Sequence, residues 1–370
     1  MASKKNDDPK KIVIVGSGGG GKLAKALGAQ LDPAKYSLTL VEARDYFVYL
    51  PATARIATTD KGHLEDKAFV PLDRIFEKGR GTVVRGRVTA VDPATQTIKL
   101  NNGDTIAYDA LVLATGSKWV GVLDLPDDPE DVKAFVAKSR SQIKNAKSIA
   151  LLGGGSVGIE LAGEIKETYP GKKVTIIQAF DKLLNPIYPD RFRCAFESRL
   201  AAMGIDVVYN EFVDAIPEGD YANVQTRSGK QIEADLVLPA WGPKPATGYL
   251  DSSFLDSNGR VKVKPTLQTV GYDNIFAMGD VTDIKEAKQA AKNQYHVPTV
   301  QQNIVAYFEG GKMKEYTGGR EMIVVTVGSQ RGVGFFQFLW GIVLGDWFAR
   351  PIKSRTLMIP QARVAYGYEA

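Results

Sequence analysis

A chain of 370 residues with 44% apolar and 24% charged side chains has material for two or three buried cores and is too apolar for a disordered chain. Its 47 basic and 42 acidic residues leave a net charge of +5, spread along the sequence, which argues against a dedicated nucleic-acid binder with one concentrated basic face. A single cysteine, Cys194, excludes an intramolecular disulfide and any Cys-x-x-Cys redox pair, and fits a reducing compartment.

The amino-terminal MASKKNDDPKK lacks the apolar core of a signal peptide and carries acids foreign to a transit peptide, so a cytoplasmic location is expected. Ala2 stands where N-myristoylation needs glycine. No stretch reaches the roughly eighteen uninterrupted apolar residues of a spanning helix, and Phe335 to Ala349 comes nearest.

From Lys11 the chain reads KIVIVGSGGGG. A β-branched run that stops at Gly16, Gly18 and Gly21 and continues into an Ala/Leu-rich helical pattern is the strand-turn-helix of a dinucleotide site. Gly16 would allow the tight turn, Gly18 the approach of backbone N–H groups to a pyrophosphate, and Gly21 the packing of helix on strand, with the helix N-terminus facing the phosphates. Ser37 to Val41 makes a second strand ending in Glu42, whose carboxylate suits ribose hydroxyls. An adenosine ribose at that place favours FAD over FMN. The loop and short helix that follow carry Arg55, a candidate for a phosphate or a flavin edge. Between Thr82 and Leu100, VVRGRVTAV and TIKL read as antiparallel strands of a small meander. Ala107 to Ala114 is a buried strand that breaks at Ala114, Thr115 and Gly116, a second signal for a flavin-binding core.

The polar, then helical, segment from Asp124 to Lys147 reads as a crossing between domains. The opening pattern then returns: an apolar strand from Ser148, then Gly153, Gly155 and Gly158, a helix, and the strand Val174 to Gln178. Gln178 stands where a strict NAD site has an acid, and a neutral amide predicts weak discrimination between NADH and NADPH. Arg191 to Met203 has helical spacing and includes Cys194, read as an ordinary helix-face or core thiol. Asn274 to Asp280 reads as an edge strand ending in Gly-Asp, just before a helix from Lys285 to Phe308 that Pro298 would kink or divide. Asp280 would bond ribityl hydroxyls there. Lys285, Lys288 and Lys292 would form one basic stripe on that helix. The last region opens on the strand Ile323 to Val327, carries ten apolar residues between Phe335 and Phe348, and continues into Arg350, Lys353 and Arg355. It is either a cap on the flavin domain or a membrane-facing, quinone-lining surface.

The expected fold is therefore α/β, with two Rossmann-like nucleotide-binding domains of the glutathione-reductase-like type and a small C-terminal α+β region. The FAD domain would comprise residues 1–123 and 261–318, the NAD(P)H domain residues 124–260, and the C-terminal domain residues 319–370.

The ordered set GSGGGG, ATGS, GGGSVGIELAGEIK, IFAMGD and PIKSR resembles the apoptosis-inducing-factor-like flavoproteins, specifically the ferroptosis suppressor (mitochondrion-associated inducer of death) group. More distantly the chain is similar to type II NADH dehydrogenases. The resemblance implies non-covalent FAD, NADH or NADPH as electron donor, and a ubiquinone-type quinone reduced at a peripheral membrane surface. It implies that Glu160 positions the nicotinamide. Glu164, one turn on along the same helix face, would extend an acidic patch toward the flavin. Lys353 would pair with these acids and stabilise the reduced ring. The sequence departs from the pattern at Trp241-Gly242-Pro243, where a Thr-Gly pair is usual. No metal site is expected, nucleic acid is not an expected partner, and a homodimer is left open. Lacking a cysteine pair, the chain would pass electrons from flavin to a diffusible acceptor. Two other functions stand beside this one: an NAD(H)-responsive signalling flavoprotein with a basic partner- or DNA-binding surface, and a ferredoxin reductase.

Overall fold

The computed structural model describes residues 8–76, 79–219, 221–338 and 340–369. Ala2, with the start of the amino-terminal stretch, and Leu339 of the apolar carboxy-terminal run lie outside these residues. The first unit runs β1 (Lys10–Val15), α1 (Gly18–Gln30), β2 (Tyr36–Glu42), α2 (Thr53–Thr58), β3 (Thr82–Arg85), β4 (Val88–Asp92), β5 (Thr97–Leu100), β6 (Thr105–Ala107) and β7 (Ala110–Leu113). Ile12 to Val15 are all buried, as a central parallel strand covered on both faces requires. β1 pairs in parallel with both β2 and β7.

The segment VVRGRVTAV does not form one antiparallel strand. β3 joins the parallel sheet beside β2. The chain then turns at Gly86, whose N–H donates to Glu42 O and where a Cβ would lie 2.9 Å from Leu100 Cδ1. Only β4, β5 and β6 make the antiparallel meander.

The second unit begins with α3 (Pro129–Asn145), capped by Asp128, whose carboxylate accepts from Glu130 N, with Pro129 in the first turn. It continues with β8 (Ser148–Leu152), α4 (Ser156–Thr168), β9 (Lys173–Gln178), β10 (Ile205–Tyr209) and β11 (Leu236–Pro239). These strands form a parallel sheet in the order β10-β9-β8-β11. The helix expected from Arg191 to Met203 is three short turns, Asp190–Arg193, Cys194–Phe196 and Glu197–Ala202, and Cys194 is exposed. The two units are tied together where Ser117–Lys118 pairs with Lys244–Pro245.

The chain then adds β12 (Ile275–Ala277) as an edge strand beside β7, completing the order β12-β7-β1-β2-β3. α5 (Asn293–Glu309) starts later than expected and is not divided by Pro298. A proline in the second turn removes one ladder bond, and the remaining bonds carry the helix on to its left-handed cap at Gly310. Lys285 and Lys288 precede this helix, so the basic stripe does not exist. Lys292 is 2% exposed and lies 2.6 Å from Glu321 and 3.8 Å from Glu286. Lys288 Nζ donates to Thr282 O and Ile284 O. Nearby carbonyls draw the Lys288 ammonium inward, and Glu286 together with the more distant Glu321 draws in that of Lys292.

The carboxy-terminal region is a three-stranded antiparallel sheet of β13 (Met322–Val327), β14 (Arg331–Phe336) and β15 (Ile342–Leu344). A short helix (Asp346–Ala349), a π turn (Arg350–Ser354) and α6 (Ile359–Ala365) follow. The sheet packs on α4 at Gly163, where a Cβ would overlap the backbone of Val327 and Gly328. The apolar run is thus a hairpin and a turn with divided roles. Phe335 is buried against Tyr188 and Phe192, whereas Trp340 is 96% and Trp347 74% exposed. Among the described residues no helix is long and apolar enough to cross a membrane.

Candidate functional site

The first glycine loop leaves β1 at Gly16, which has φ +98° and where a Cβ would overlap the carbonyl oxygen of Ala114 at the end of β7. Only glycine meets both demands. At Gly18 a Cβ would meet nothing within 4 Å, so open space lies against the start of α1. Glu42 stands beside this loop, its Oε2 accepting from Ser17 N at 2.6 Å and its Oε1 from Ala43 N at 2.8 Å. Each oxygen keeps a further lone pair for ribose hydroxyls. The close approach of helix to strand expected at Gly21 belongs to Gly20, where a Cβ would lie 2.9 Å from Ile14 Cγ2. Gly21 instead faces the ring of Tyr366, 2.9 Å from a Cβ placed there.

Thr115 and Gly116, beyond Ala114, turn toward the second unit. Thr115 Oγ1 donates to Ala246 O at 2.8 Å, and Gly116 O accepts from Ala246 N at 3.0 Å. Asp280 lies on the single turn Gly279–Val281 directly after β12, and although α5 begins later in the sequence the turn packs on its start, with Gly279 N donating to His296 Nδ1 at 2.9 Å. Its Oδ2 accepts from Ser117 Oγ at 2.8 Å. Asn293, the first residue of α5, has its Oδ1 buried without a partner against Gly19. An open cradle at a helix N-terminus, a carboxylate with spare lone pairs and an unpartnered amide fit the diphosphate and ribose of a dinucleotide.

The second loop repeats the design. Gly153 has φ +119° and lies close under Ala240 O, Gly155 faces open space, and Gly158 packs on the carbonyl of Gly153. Gln178 ends β9 as Glu42 ends β2. Its Oε1 accepts from Gly154 N at 2.9 Å and its Nε2 donates to Lys182 O at 2.7 Å. The residue is 5% exposed. Its amide therefore shapes the loop from within, and keeps one lone pair on Oε1 and one Nε2 hydrogen beyond these bonds.

Between the two units lies a buried charged junction. Glu160 and Glu164 share one face of α4, yet each has its own cation. Glu160 Oε1 accepts from Lys353 Nζ at 2.6 Å and from Thr326 N at 3.2 Å. Lys353 Nζ also donates to Val324 O at 2.8 Å. An ammonium has three donors, so one remains for a ligand. Arg55, on α2, grips Glu164 with two bonds of 2.8 Å and donates further to Ser354 O and Arg355 O. Four of its five N–H donors are thereby committed inside the protein, so of the two expected roles the phosphate contact loses support and the flavin edge does not. Burial pushes the Glu164 carboxyl up, and the Arg55 fork pulls against it. Burial, and secondly the charge of Glu160, push the Tyr49 phenol up to about 12.

Sequence reasoning anticipated Lys353 beside Glu160. It missed the Arg55–Glu164 pair, Tyr49 and Tyr366, whose partners lie far away in sequence. The one available signal was the acidic pair at helical spacing, which calls for two cations where only Lys353 had been assigned.

A Pyridine nucleotide-disulphide oxidoreductase family model matches residues 10–302. The FAD-dependent oxidoreductase FVFD30 of Flammulina velutipes is 45% identical over 318 residues, 84% of this chain and 98% of that protein. Ferroptosis suppressor protein 1 of Mus musculus is 30% identical over 349 residues, covering 90% of each chain. Apoptosis-inducing factor homolog B of Dictyostelium discoideum is 29% identical over 360 residues, 89% of this chain and 90% of that one. Among solved structures, the sulfide:quinone oxidoreductase of Aquifex aeolicus superposes with a TM-score of 0.77 over 97% of this chain and 92% of that one, at 21% identity. That likeness speaks to the fold, and it agrees with the expected α/β architecture. FAD with NAD(P)H is the cofactor pair of the family and its FAD-dependent members, as expected from the two glycine loops. The chain belongs to the pyridine nucleotide-disulphide oxidoreductase family, with apoptosis-inducing-factor homologues and ferroptosis suppressor proteins among its relatives.

Proposed function

We propose that the chain is an FAD-dependent NAD(P)H:quinone oxidoreductase, with FAD on the first glycine loop and NAD(P)H on the second. In this reading residues 1–123 and 261–318 serve FAD, residues 124–260 serve NAD(P)H, and residues 319–370 close over the junction. The observation that carries it is the Lys353–Glu160 pair, 2.6 Å apart with side chains 13% and 11% exposed, with Glu160 on the helix that follows the second loop and one ammonium N–H to spare. FAD, when bound, supplies hydride acceptance from the nicotinamide and electron delivery to an oxidant.

The chain's own residues bind, orient and exclude water. The loop N–H groups from Gly18 onward face the diphosphate, Glu42 accepts from ribose hydroxyls, and Gln178 holds the second loop in shape. Lys353 offers its free N–H and its charge to the flavin ring, and Glu160 keeps that ammonium in place. The Arg55–Glu164 pair, 10% and 4% exposed, seals the far side of the junction. Because the chain has a single cysteine, it holds no dithiol relay of its own, and electrons leave for a diffusible acceptor.

A quinone is supported by the apolar surface of the carboxy-terminal region. Trp340 and Trp347 are exposed, and Phe338, Ile342 and Ile352 are each about 40% so. Exposed Arg350 and Arg355 accompany them. Aromatic and basic side chains of this kind suit a peripheral stay at a bilayer. Lys353 drops out of the expected basic trio, and each remaining arginine adds about 1 kcal/mol near anionic lipid. The signalling alternative loses its main support with the burial of Lys292.

Steady-state NADH oxidation with a ubiquinone analogue, with a ferredoxin and with no added acceptor tests this reading. Turnover should require the quinone. Turnover with ferredoxin alone would make the chain a ferredoxin reductase, and none with either would favour signalling.

A further inference from the structure

We propose that Tyr366 is a positioning residue for the cofactor diphosphate and that α6 is a strap holding the first glycine loop in its binding shape. The inference rests on the reading of that loop as the FAD site. Tyr366 follows directly on α6 and is 1% exposed. Its hydroxyl lies 2.6 Å from Ser17 O and 2.7 Å from Gly18 O. With one hydrogen to give, the phenol shares it between the two carbonyls, the first of which also accepts from Gly21 N at 2.9 Å.

The ring occupies the place a side chain at residue 21 would need. A Cβ on Gly21 would come within 2.9 Å of Tyr366 Cε1 and 3.3 Å of its hydroxyl. The third glycine of the loop is thus demanded by a residue near the opposite end of the chain. The ring stacks on Phe47 at 4.4 Å with planes 7° apart. α6 itself is held on α1, where Lys25 Nζ donates to Ala365 O at 3.2 Å and Val364 O at 3.4 Å. Beyond it, Gly367 packs against Arg74 O, and the Arg74 guanidinium lies 4.6 Å over the Tyr368 ring. These contacts lock Tyr366 in register with the loop.

The consequence follows from the planar trans peptide, in which C=O and N–H point opposite ways. Carbonyls of Ser17 and Gly18 held on the phenol send the N–H groups of Gly18 and Gly19 outward. The first turn of a helix has no internal acceptor for those donors, and at Gly18 the space beside them is open. Burial, and secondly the charge of Glu42, push the phenol well above its ordinary value, so the hydroxyl remains a donor at any working pH. Tyr366 therefore keeps the anion cradle set before the cofactor arrives, which lowers the ordering cost of binding.

The test uses the full chain, stripped of FAD and titrated with FAD, with ADP and with adenosine. Tyr366→Phe keeps the ring and removes the shared hydrogen bond. It should weaken FAD and ADP by about tenfold, the scale of one well-placed hydrogen bond, and leave adenosine, which has no diphosphate, unchanged. Gly21→Ala retains every donor and displaces the ring, and should produce a similar selective loss. The double variant should be no worse than the poorer single one. FAD and ADP bound as tightly by both variants as by the parent, or adenosine weakened in parallel, would overturn the proposal. A parent chain that binds neither FAD nor ADP would instead remove the reading of the loop on which it rests.

Discussion

Lys353→Met is the most informative substitution at the junction, because it keeps the length and apolar stem of the side chain and deletes only the ammonium. In the parent protein that ammonium sits 2.6 Å from Glu160, with the two side chains 13% and 11% exposed. Removing one partner of a buried pair strands the other charge, at a cost of about 3 kcal/mol. Among the described residues Thr326 N, at 3.2 Å, is the one donor left to Glu160, and Val324 O loses the Lys353 ammonium too. The loss should lower the melting temperature of the FAD-loaded protein by on the order of 4 °C. Adding Glu160→Gln removes the stranded charge and should return about 2 kcal/mol, a coupling that a double-mutant cycle in urea measures directly. In the same samples turnover with quinone should fall while FAD content holds. A cost for Lys353→Met below about 0.5 kcal/mol, typical of a surface pair, or no rescue by Glu160→Gln, would refute the placement of this pair at a desolvated junction.

Three further outcomes are expected. The Tyr49 phenol, pushed up to about 12, titrates above its unfolded value of about 10. Its contribution to stability is whole below pH 10 and is lost as pH rises toward 12, about 2 kcal/mol in all after allowing for partial exposure. Urea midpoints between pH 10 and 11.5 should therefore fall less steeply in Tyr49→Phe than in the parent, and equal slopes would contradict the burial of this hydroxyl. For Gln178, the parent should use NADH and NADPH with kcat/KM values within about tenfold of each other, or about 1.4 kcal/mol. Gln178→Glu should raise KM for both by setting a carboxylate oxygen against Lys182 O, and a rise confined to NADPH would show that the side chain reaches the 2′ position after all. Trp340→Glu with Trp347→Glu should reduce co-flotation with anionic liposomes and lower turnover with a long-tailed quinone far more than with a tail-less one. Equal loss with both quinones would make these residues a structural cap.

The parts of the fold legible in the sequence are those set by local pattern. An apolar run that stops in glycine and resumes as a helix identifies β1 with α1 and β8 with α4, because a parallel strand covered on both faces must be continuously apolar. The parts that were not legible depend on partners far apart in the chain. Nothing within ten residues of Arg55 tells that its guanidinium will meet Glu164, 109 positions away. Lys292 reads as solvated until Glu286 and Glu321 are known to surround it. Thr82 to Arg85 alternates like the strands after it, yet it pairs with β2 in parallel because Gly86 breaks the run. Gly21 is the sharpest instance, since the motif marks the position correctly while the reason for it, the Tyr366 ring, lies at the other end of the sequence.

The central claim, that two glycine loops in one chain join a nicotinamide to a flavin and the flavin to a quinone, meets its most direct test in the visible spectrum of the purified protein. Under anaerobic conditions the absorbance of oxidised flavin should bleach within the mixing of one equivalent of NADH and return on addition of one equivalent of a ubiquinone analogue. A preparation that carries no flavin, or a flavin that NADH leaves oxidised, would contradict the account.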